Sequence, residues 1–444
     1  SMSTAQQGTV DAGLALLVEQ QQHLDARQQG TSWGDLSHCV KLDIRGELDP
    51  VRLQHALDSL AVRHEALSAQ FAPVSGYHGL RQRVAPAEAV SLTQWLDVAS
   101  PQQVVARQQQ WWRQQQPLIG ALLQRLETDH WQLLIGVARY AADAGTLALI
   151  QQELVAAYGQ QGFEEDEPGQ FSQYLEWRSE VIFDEDADTA KAYWQQYLQG
   201  HENLVNGPDL PYRLTCAEVL PAERLSVPLD QSLLARLRTV GLPLDVLIHA
   251  AWWVLLARIS GRDSFLAGWR HDARQDYEFF SHSLGLFEKT LPLAIRIDPA
   301  STFRELVTTL AAQLDQHRTW HEYWAPLSFP QQAAPAVGFG NRLVSAPLEV
   351  AGTVWAGSDL PARLPEFELA LQLEIAVSGE PQGLSLDFTP ARYSAHAVET
   401  LLGQLRQLLH SIADKPDETL ARLNLLDNEE KSRLLALNPP AQGM

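Results

Sequence analysis

Few side chains in this sequence have the type and spacing to do chemistry. Asp143 stands just past an apolar stretch, with Arg139 four residues before it. A carboxylate so placed is either a base or half of an ion pair. His271 and Asp272 are neighbours, an imidazole beside a carboxylate, which are the parts of a general acid–base pair. Consecutive residues of a strand point to opposite faces, however, so these two are not expected to act together. His317 and His321 lie one helical turn apart and come nearest to ligand spacing among the 14 histidines, but no convincing third ligand accompanies them. Cys39 and Cys216 offer neither a metal spacing nor a disulfide framework. No metal site and no cofactor are expected.

The elements that must position these groups can be read from the pattern around them. His38 to Leu48 reads as a strand, and Asp49-Pro50 opens a helix whose Leu53, Ala56, Leu57 and Leu60 form one apolar face. A further helix carries Trp111 and Trp112. Gln132 to Val137 is a strand with Leu133, Ile135 and Val137 on one side. Asp143 to Gly145 breaks it, and a helix from about Thr146 to Tyr158 follows. Gln160 to Gln170 is loop-like, and Phe171 to Gly200 is an aromatic helical bridge. The second half repeats the alternation. Asp245 to Ile259 is an apolar helix and Phe265 to Gly268 a short strand. Thr302 to Glu305 has capping-box spacing, Glu368 to Val377 and Leu384 to Phe388 are strands, and Ala395 to Ala413 is a helix. The tryptophan pairs Trp111-Trp112 and Trp252-Trp253 are expected in the core. Mixed strands and helices in two such halves, without a fixed-period repeat, imply an α+β, two-lobed fold.

Bulk properties narrow the function. A 444-residue chain that is 45% hydrophobic can build a large core in two or three folding units. A net charge of -21 argues against nucleic acid, whose binding rests on neutralised phosphates. The longest apolar stretch, Val246 to Ile259, contains His249 and Arg258 and is too short to span a bilayer. No secretion signal is visible, and a reducing cytoplasm is the expected location. Ser1-Met2 reads as an added remnant, and Asn438-Pro439-Pro440 as the start of a linker.

Several segments, in order, then carry a resemblance. Ser3 to Gly8 looks like an opening motif. Arg63-His64-Glu65-Ala66-Leu67 is similar to "RHExLR", and Tyr193-Trp194 with Leu198 and Gly200 to "YWxxxLxG". Gly261-Arg262-Asp263 follows the apolar helix. Thr290-Leu291-Pro292-Leu293 matches "NTLPL" with Lys289 in place of asparagine, and Phe367-Glu368-Leu369 resembles "FDL". Leu425-Leu426-Asp427 with Glu430 and Leu434-Leu435 resembles "LLxxxExxxLL". Together these resemble the condensation domains of nonribosomal peptide synthetases, nearly end to end. The resemblance implies a V-shaped pseudodimer of two chloramphenicol-acetyltransferase-like lobes around a tunnel for carrier-protein arms. The expected division is an N-terminal lobe over 1–170, a helical connection over 171–200, a C-terminal lobe over 201–438 and a linker from 439 to 444.

At the centre of that tunnel the family carries HHxxxDG. The matching stretch here is Ala138-Arg139-Tyr140-Ala141-Ala142-Asp143-Ala144, anchored by Gly145-Thr146-Leu147 and then Glu153-Leu154 and Tyr158. Ala138 and Arg139 replace the two histidines and Ala144 replaces the glycine, while Asp143 is retained. A neutral imidazole accepts a proton near pH 7 and a guanidinium does not. Arg139 can offer charge to an oxyanion and nothing more. By resemblance Asp143 is structural, an ion pair with Arg63 or alternatively Arg139, and His64 is packed or capping. The family's "GTPVAGR" appears as Gly268-Trp269-Arg270-His271-Asp272-Ala273-Arg274, and Trp269 to Asp272 are expected to narrow or block the tunnel floor.

These departures imply a non-catalytic, condensation-like domain. It resembles the interface domains of siderophore synthetases, which dock a non-haem iron, 2-oxoglutarate-dependent β-hydroxylase onto a carrier-bound amino acid. The alternatives are an X domain recruiting a cytochrome P450, which Arg139 matches and Ala138 does not, and an atypical condensation or epimerisation enzyme. The implied partners are a peptidyl carrier protein, the tailoring oxygenase and adjacent synthetase domains.

Overall fold

Alternating strands and amphipathic helices assemble into two sheets of six strands, each backed by helices, and a small three-stranded sheet, in a computed structural model that describes residues 12–28, 30–160, 167–327 and 334–426. Ser3 to Gly8, Asp427, Glu430, Leu434-Leu435 and Asn438 to Pro440 lie outside the described residues.

The first sheet is built on Ser37–Gly46, His130–Ala138, Ile119–Glu127 and Ser91–Val98. Its remaining edge comes from the other half of the chain. The hairpin Leu348–Val350 and Thr353–Asp359 crosses over, and Thr353–Asp359 pairs antiparallel with Ser37–Gly46, from Thr353 opposite Gly46 to Asp359 opposite Val40. The linear division at 201 is therefore corrected. Residues 348–359 belong to the first lobe's sheet, and Val350 and Trp355 pack into its core with Leu42, Ile135 and Leu154. The second sheet runs Glu288–Arg296, Ser264–Asp272, Val337–Val344, Leu369–Ala376, Pro381–Phe388 and Glu223–Pro228.

The second core forms around Leu244–Ser260, a helix apolar on all sides and therefore enclosed by the sheet and its neighbours. Trp252 and Trp253 are buried there and Trp111 is buried against Trp33, as expected of core tryptophans, while Trp112 is only partly buried against the same ring. The bridge is two helices, Phe171–Val181 and Ala187–Gly200, separated by the polar turn around Asp184. Between the lobes, Leu17, Phe171, Tyr174, Ala273, Leu286 and Phe287 form a smaller apolar cluster that seals the junction. Among the described residues no helix is long and apolar enough to cross a membrane.

Candidate functional site

The centre of the molecule is a strand-to-helix turn. His130–Ala138 ends where Ala138 packs, fully buried, with Leu24, Tyr140 and Ala141. The helix Gly145–Tyr158 begins after Ala144, which has ordinary helical angles of φ -65 and ψ -33, so alanine is unstrained at the family's glycine position. Gly145 does need to be small. A Cβ there would lie 2.9 Å from Glu288 Oε1 and 3.0 Å from Arg274 Nη1.

Asp143 is nearly buried and accepts six hydrogen bonds. Thr146 N donates to Asp143 Oδ1 at 3.1 Å, so the Asp143 carboxylate caps the helix in place of Ala144, which has no capping side chain. Arg274 donates from Nη2 to Oδ1 at 2.8 Å and from Nη1 to Oδ2 at 3.0 Å, a bidentate pair across the lobe junction. Phe287 N and Glu288 N complete the set. The expected ion-pair partner of Asp143 is corrected from Arg63 to Arg274. Arg63 pairs with Glu153, Nε to Oε1 at 2.9 Å, and buried His64 bonds to the same carboxylate. That residue lies on the helix Asp143 caps, so the RHE segment braces the helix side rather than the loop. Arg139 points elsewhere, its Nη1 donating to Leu364 O at 2.8 Å.

Beside Asp143 a cavity of about 780 Å³ opens between the lobes. Arg139, His38, Arg270, Asp272, Arg274 and Glu288 face it. The expectation of a blocked floor is overturned by strand alternation. Trp269 and His271 point into the second lobe, where both are buried, while Arg270 and Asp272 line the cavity. What enters the cavity is charge rather than bulk. Arg270 reaches Glu366 at 3.4 Å, and Asp272 pairs with Arg274 at 3.3 Å.

This charge distribution moves proton affinities. Burial, reinforced by the carboxylates of Asp143 and Asp272, pushes Glu288 up to about 8 despite Arg270 and Arg274. Burial likewise raises Asp272 against the pull of Arg274. Burial and then Arg139 lower His23 to about 4, and the same two influences hold His38 well below its ordinary value, so both are neutral at pH 7. Burial lowers Arg139, and its Nε has no hydrogen-bond partner. The second motif position is thus a cation facing a cavity beside neutral imidazoles. It can attract an electron-rich atom and cannot accept a proton.

The groups expected at separate places divide differently in space. His317 is taken up by Tyr193 Oη at 2.6 Å and Pro292 O at 2.8 Å. His321 instead meets His271 and Asp276, which the linear spacing did not suggest. Glu288 and Arg274 are the site residues that the residue pattern did not single out. A carboxylate directly after Phe287, at the start of the strand that continues into Leu291 to Ile295, was the available signal for Glu288. Arg274 gave none, since it meets Asp143 across 131 positions of chain.

Comparison with known proteins places this geometry in a family context. A family model described as "Condensation domain" matches residues 20–325. Malpinin synthetase of Mortierella alpina is 23% identical over 438 residues, covering 91% of this chain and 6% of that protein. Bacitracin synthase 3 of Bacillus licheniformis is 25% identical over 378 residues, covering 81% of this chain and 6% of that protein. The chain therefore spans a small fraction of the length of these relatives. Among solved structures, a doubly substituted starter condensation domain of rhizomide synthetase, in complex with C8-CoA and Leu-SNAC, superposes with a TM-score of 0.75. It has 19% identity and covers 96% of this chain and 100% of that one. The X-domain in complex with OxyB from teicoplanin biosynthesis gives a TM-score of 0.72 with 22% identity, over 94% and 96% of the two chains.

Proposed function

We propose, from the premise that this chain belongs to the condensation-domain family of nonribosomal peptide synthetases, that it is a non-catalytic docking module which recruits a tailoring oxygenase to a carrier-bound amino acid. One contrast carries the reading. The network that joins the lobes through Asp143 is complete, while the positions that hold the family's paired histidines are Ala138, packed away from the cavity, and Arg139, which cannot take a proton. Amide formation needs a proton acceptor beside the attacking amine, and loss of a general base typically costs ~10²–10⁴ in rate.

The partner proposed first is a β-hydroxylase of the non-haem iron and 2-oxoglutarate class, by resemblance to interface domains. The partner class is fixed by experiment rather than by fold. A docked oxygenase would meet its tethered substrate at raised effective concentration, so modest affinity suffices. The test is hydroxylation of a carrier-bound amino acid in trans with and without the domain, together with calorimetry for direct association. Equal hydroxylation without the domain, and no heat with either a hydroxylase or a P450, rejects recruitment.

A P450-recruiting reading is supported by the likeness to an X-domain solved with OxyB. The same calorimetry with a P450 separates the two. An enzymatic reading is supported by the open cavity and by Glu288, whose proton affinity near 8 keeps it mostly protonated at neutral pH and suits a general acid. Intact-mass detection of an amide product, abolished in Glu288→Gln, would establish it in place of recruitment.

A further inference from the structure

Outside the cavity, on the buried side of the same strand, three potential ligands converge from separate elements. His271 belongs to the strand Ser264–Asp272, Asp276 follows the short turn Ala273–Gln275, and His321 lies on the long helix Phe303–Leu327. The Nε2 atoms of both histidines face a single oxygen, Asp276 Oδ2, at 2.6 Å from His271 and 2.9 Å from His321. All three ligand atoms lie within 4.8 Å of one another. Both imidazoles are 2% exposed, while the Asp276 side chain is 20% exposed and gives the cluster a route to solvent.

Hydrogen bonding alone leaves this cluster with a conflict. If neutral His321 donates from Nε2 to Asp276, its Nδ1 is a bare lone pair. That Nδ1 is buried without an aligned partner, and 3.1 Å away stands Glu322 Oε1, a second acceptor. Glu322 cannot turn aside, since Tyr174 Oη at 2.7 Å and Arg178 at 3.1 Å hold it. A cation at Nε2 removes the conflict. The Nε2 lone pair then binds the ion, and Nδ1 carries the proton, which a small ring rotation brings into line with Glu322 Oε1, 3.1 Å away. This is the carboxylate–histidine–metal arrangement that fixes ligand tautomers in metalloproteins.

We propose that His271, Asp276 and His321 form a binding site for a first-row divalent transition metal ion of the zinc class, with a fourth position open to solvent through Asp276. Two imidazoles and a carboxylate suit such an ion, and three protein ligands leave one position free. Bonds of ~2.0–2.1 Å in a tetrahedral set place ligand atoms roughly 3.3 Å apart. The observed 2.6 and 2.9 Å must open by roughly 0.4–0.7 Å, within reach of side-chain rotation at the partly exposed Asp276. The site lies two residues from Arg274, so a bound ion would pin the turn that holds Arg274 against Asp143.

The experiment uses the full chain, stripped with chelator, and zinc chloride as probe. Calorimetry should give one equivalent bound with micromolar or tighter affinity, and zinc should raise the melting temperature by several degrees. Cobalt should give the intense visible absorption of a four-coordinate site. Asp276→Asn, at a partly exposed position that will fold, and His321→Gln should each weaken zinc binding by at least ~100-fold and abolish the cobalt bands. Absence of uptake by the native chain, or uptake undiminished in both variants, overturns the proposal. So does nitrogen-15 NMR showing His321 doubly protonated at pH 7 with zinc present, since the conflict at Nδ1 would then be solved by an imidazolium.

Discussion

Two ends of one turn face opposite fates. At one end Asp143 is tied to both lobes by six hydrogen bonds, two of them from an arginine 3% exposed. At the other, four residues earlier, Arg139 has one backbone carbonyl, Leu364 O, and an Nε without a partner. Buried charges pinned from many sides cannot be changed singly without leaving others uncompensated. A side chain that only faces a cavity carries no such constraint. The difference teaches that this fold keeps the residue that assembles the cleft independently of those that work in it.

The comparison breaks first if Asp143 is not the lobe fastener. Arg274→Ala should cost about 3–5 kcal/mol in denaturant unfolding, because it strands the Asp143 carboxylate in the interior. Asp143→Ala combined with Arg63→Ala should be additive within ~0.5 kcal/mol, as for residues that share no contact. Strong coupling between those two would restore the pairing expected from resemblance. At the other end, Ala138→His must overfill a packed pocket and should cost ~1–3 kcal/mol. The double variant Ala138→His, Arg139→His should give no dipeptide by intact mass, since Arg270, Asp272 and Glu288 still crowd the cavity with charge beside the restored second imidazole. Dipeptide formation would show that chemistry was lost by those two changes alone.

A pH-dependent effect sharpens the electrostatics. Glu288 has its proton affinity raised by burial to about 8, above the unfolded value of 4.5. The native state therefore binds the extra proton between those pH values. The stabilisation it lends is present below pH 4.5 and lost as pH rises through 8, with a slope of roughly 1.4 kcal/mol for each pH step across that window. Glu288→Gln should flatten that decline in melting temperature between pH 5 and 8.5, and an unchanged slope would refute the assignment. Smallest of all, Arg139→Leu should change stability by less than ~1 kcal/mol in either direction, because the cation it removes has no carboxylate bonded to it. A large loss would show that Arg139 fastens the lobes after all.

Local pattern made much of this legible. The strand expected over His38 to Leu48 is Ser37–Gly46, the helix expected from Thr146 is Gly145–Tyr158, and that expected over Ala395 to Ala413 is Ala395–Asp414. Thr302 accepts from Glu305 N as its spacing suggests. Each depends on contacts within a few residues. The partner of Asp143 was not legible, nor was the hairpin that leaves the second half to complete the first sheet, because both are fixed by residues far apart in the chain. Alternation also read His271 and Asp272 correctly as facing apart, yet strand faces say nothing about a helix packed beneath. His321 therefore stayed hidden behind its spacing to His317.

The crossing hairpin has a consequence for how this protein can be cut. Without Leu348 to Asp359, the strand Ser37–Gly46 would present a bare row of unpaired amides and carbonyls, the kind of edge that recruits other chains into aggregates. A truncation at the bridge between the helices Phe171–Val181 and Ala187–Gly200 falls in sequence between lobes, but in space it unzips a sheet. Chimeras that exchange one lobe must therefore carry the donor's hairpin with it, or accept a recombinant first half that is sticky rather than soluble.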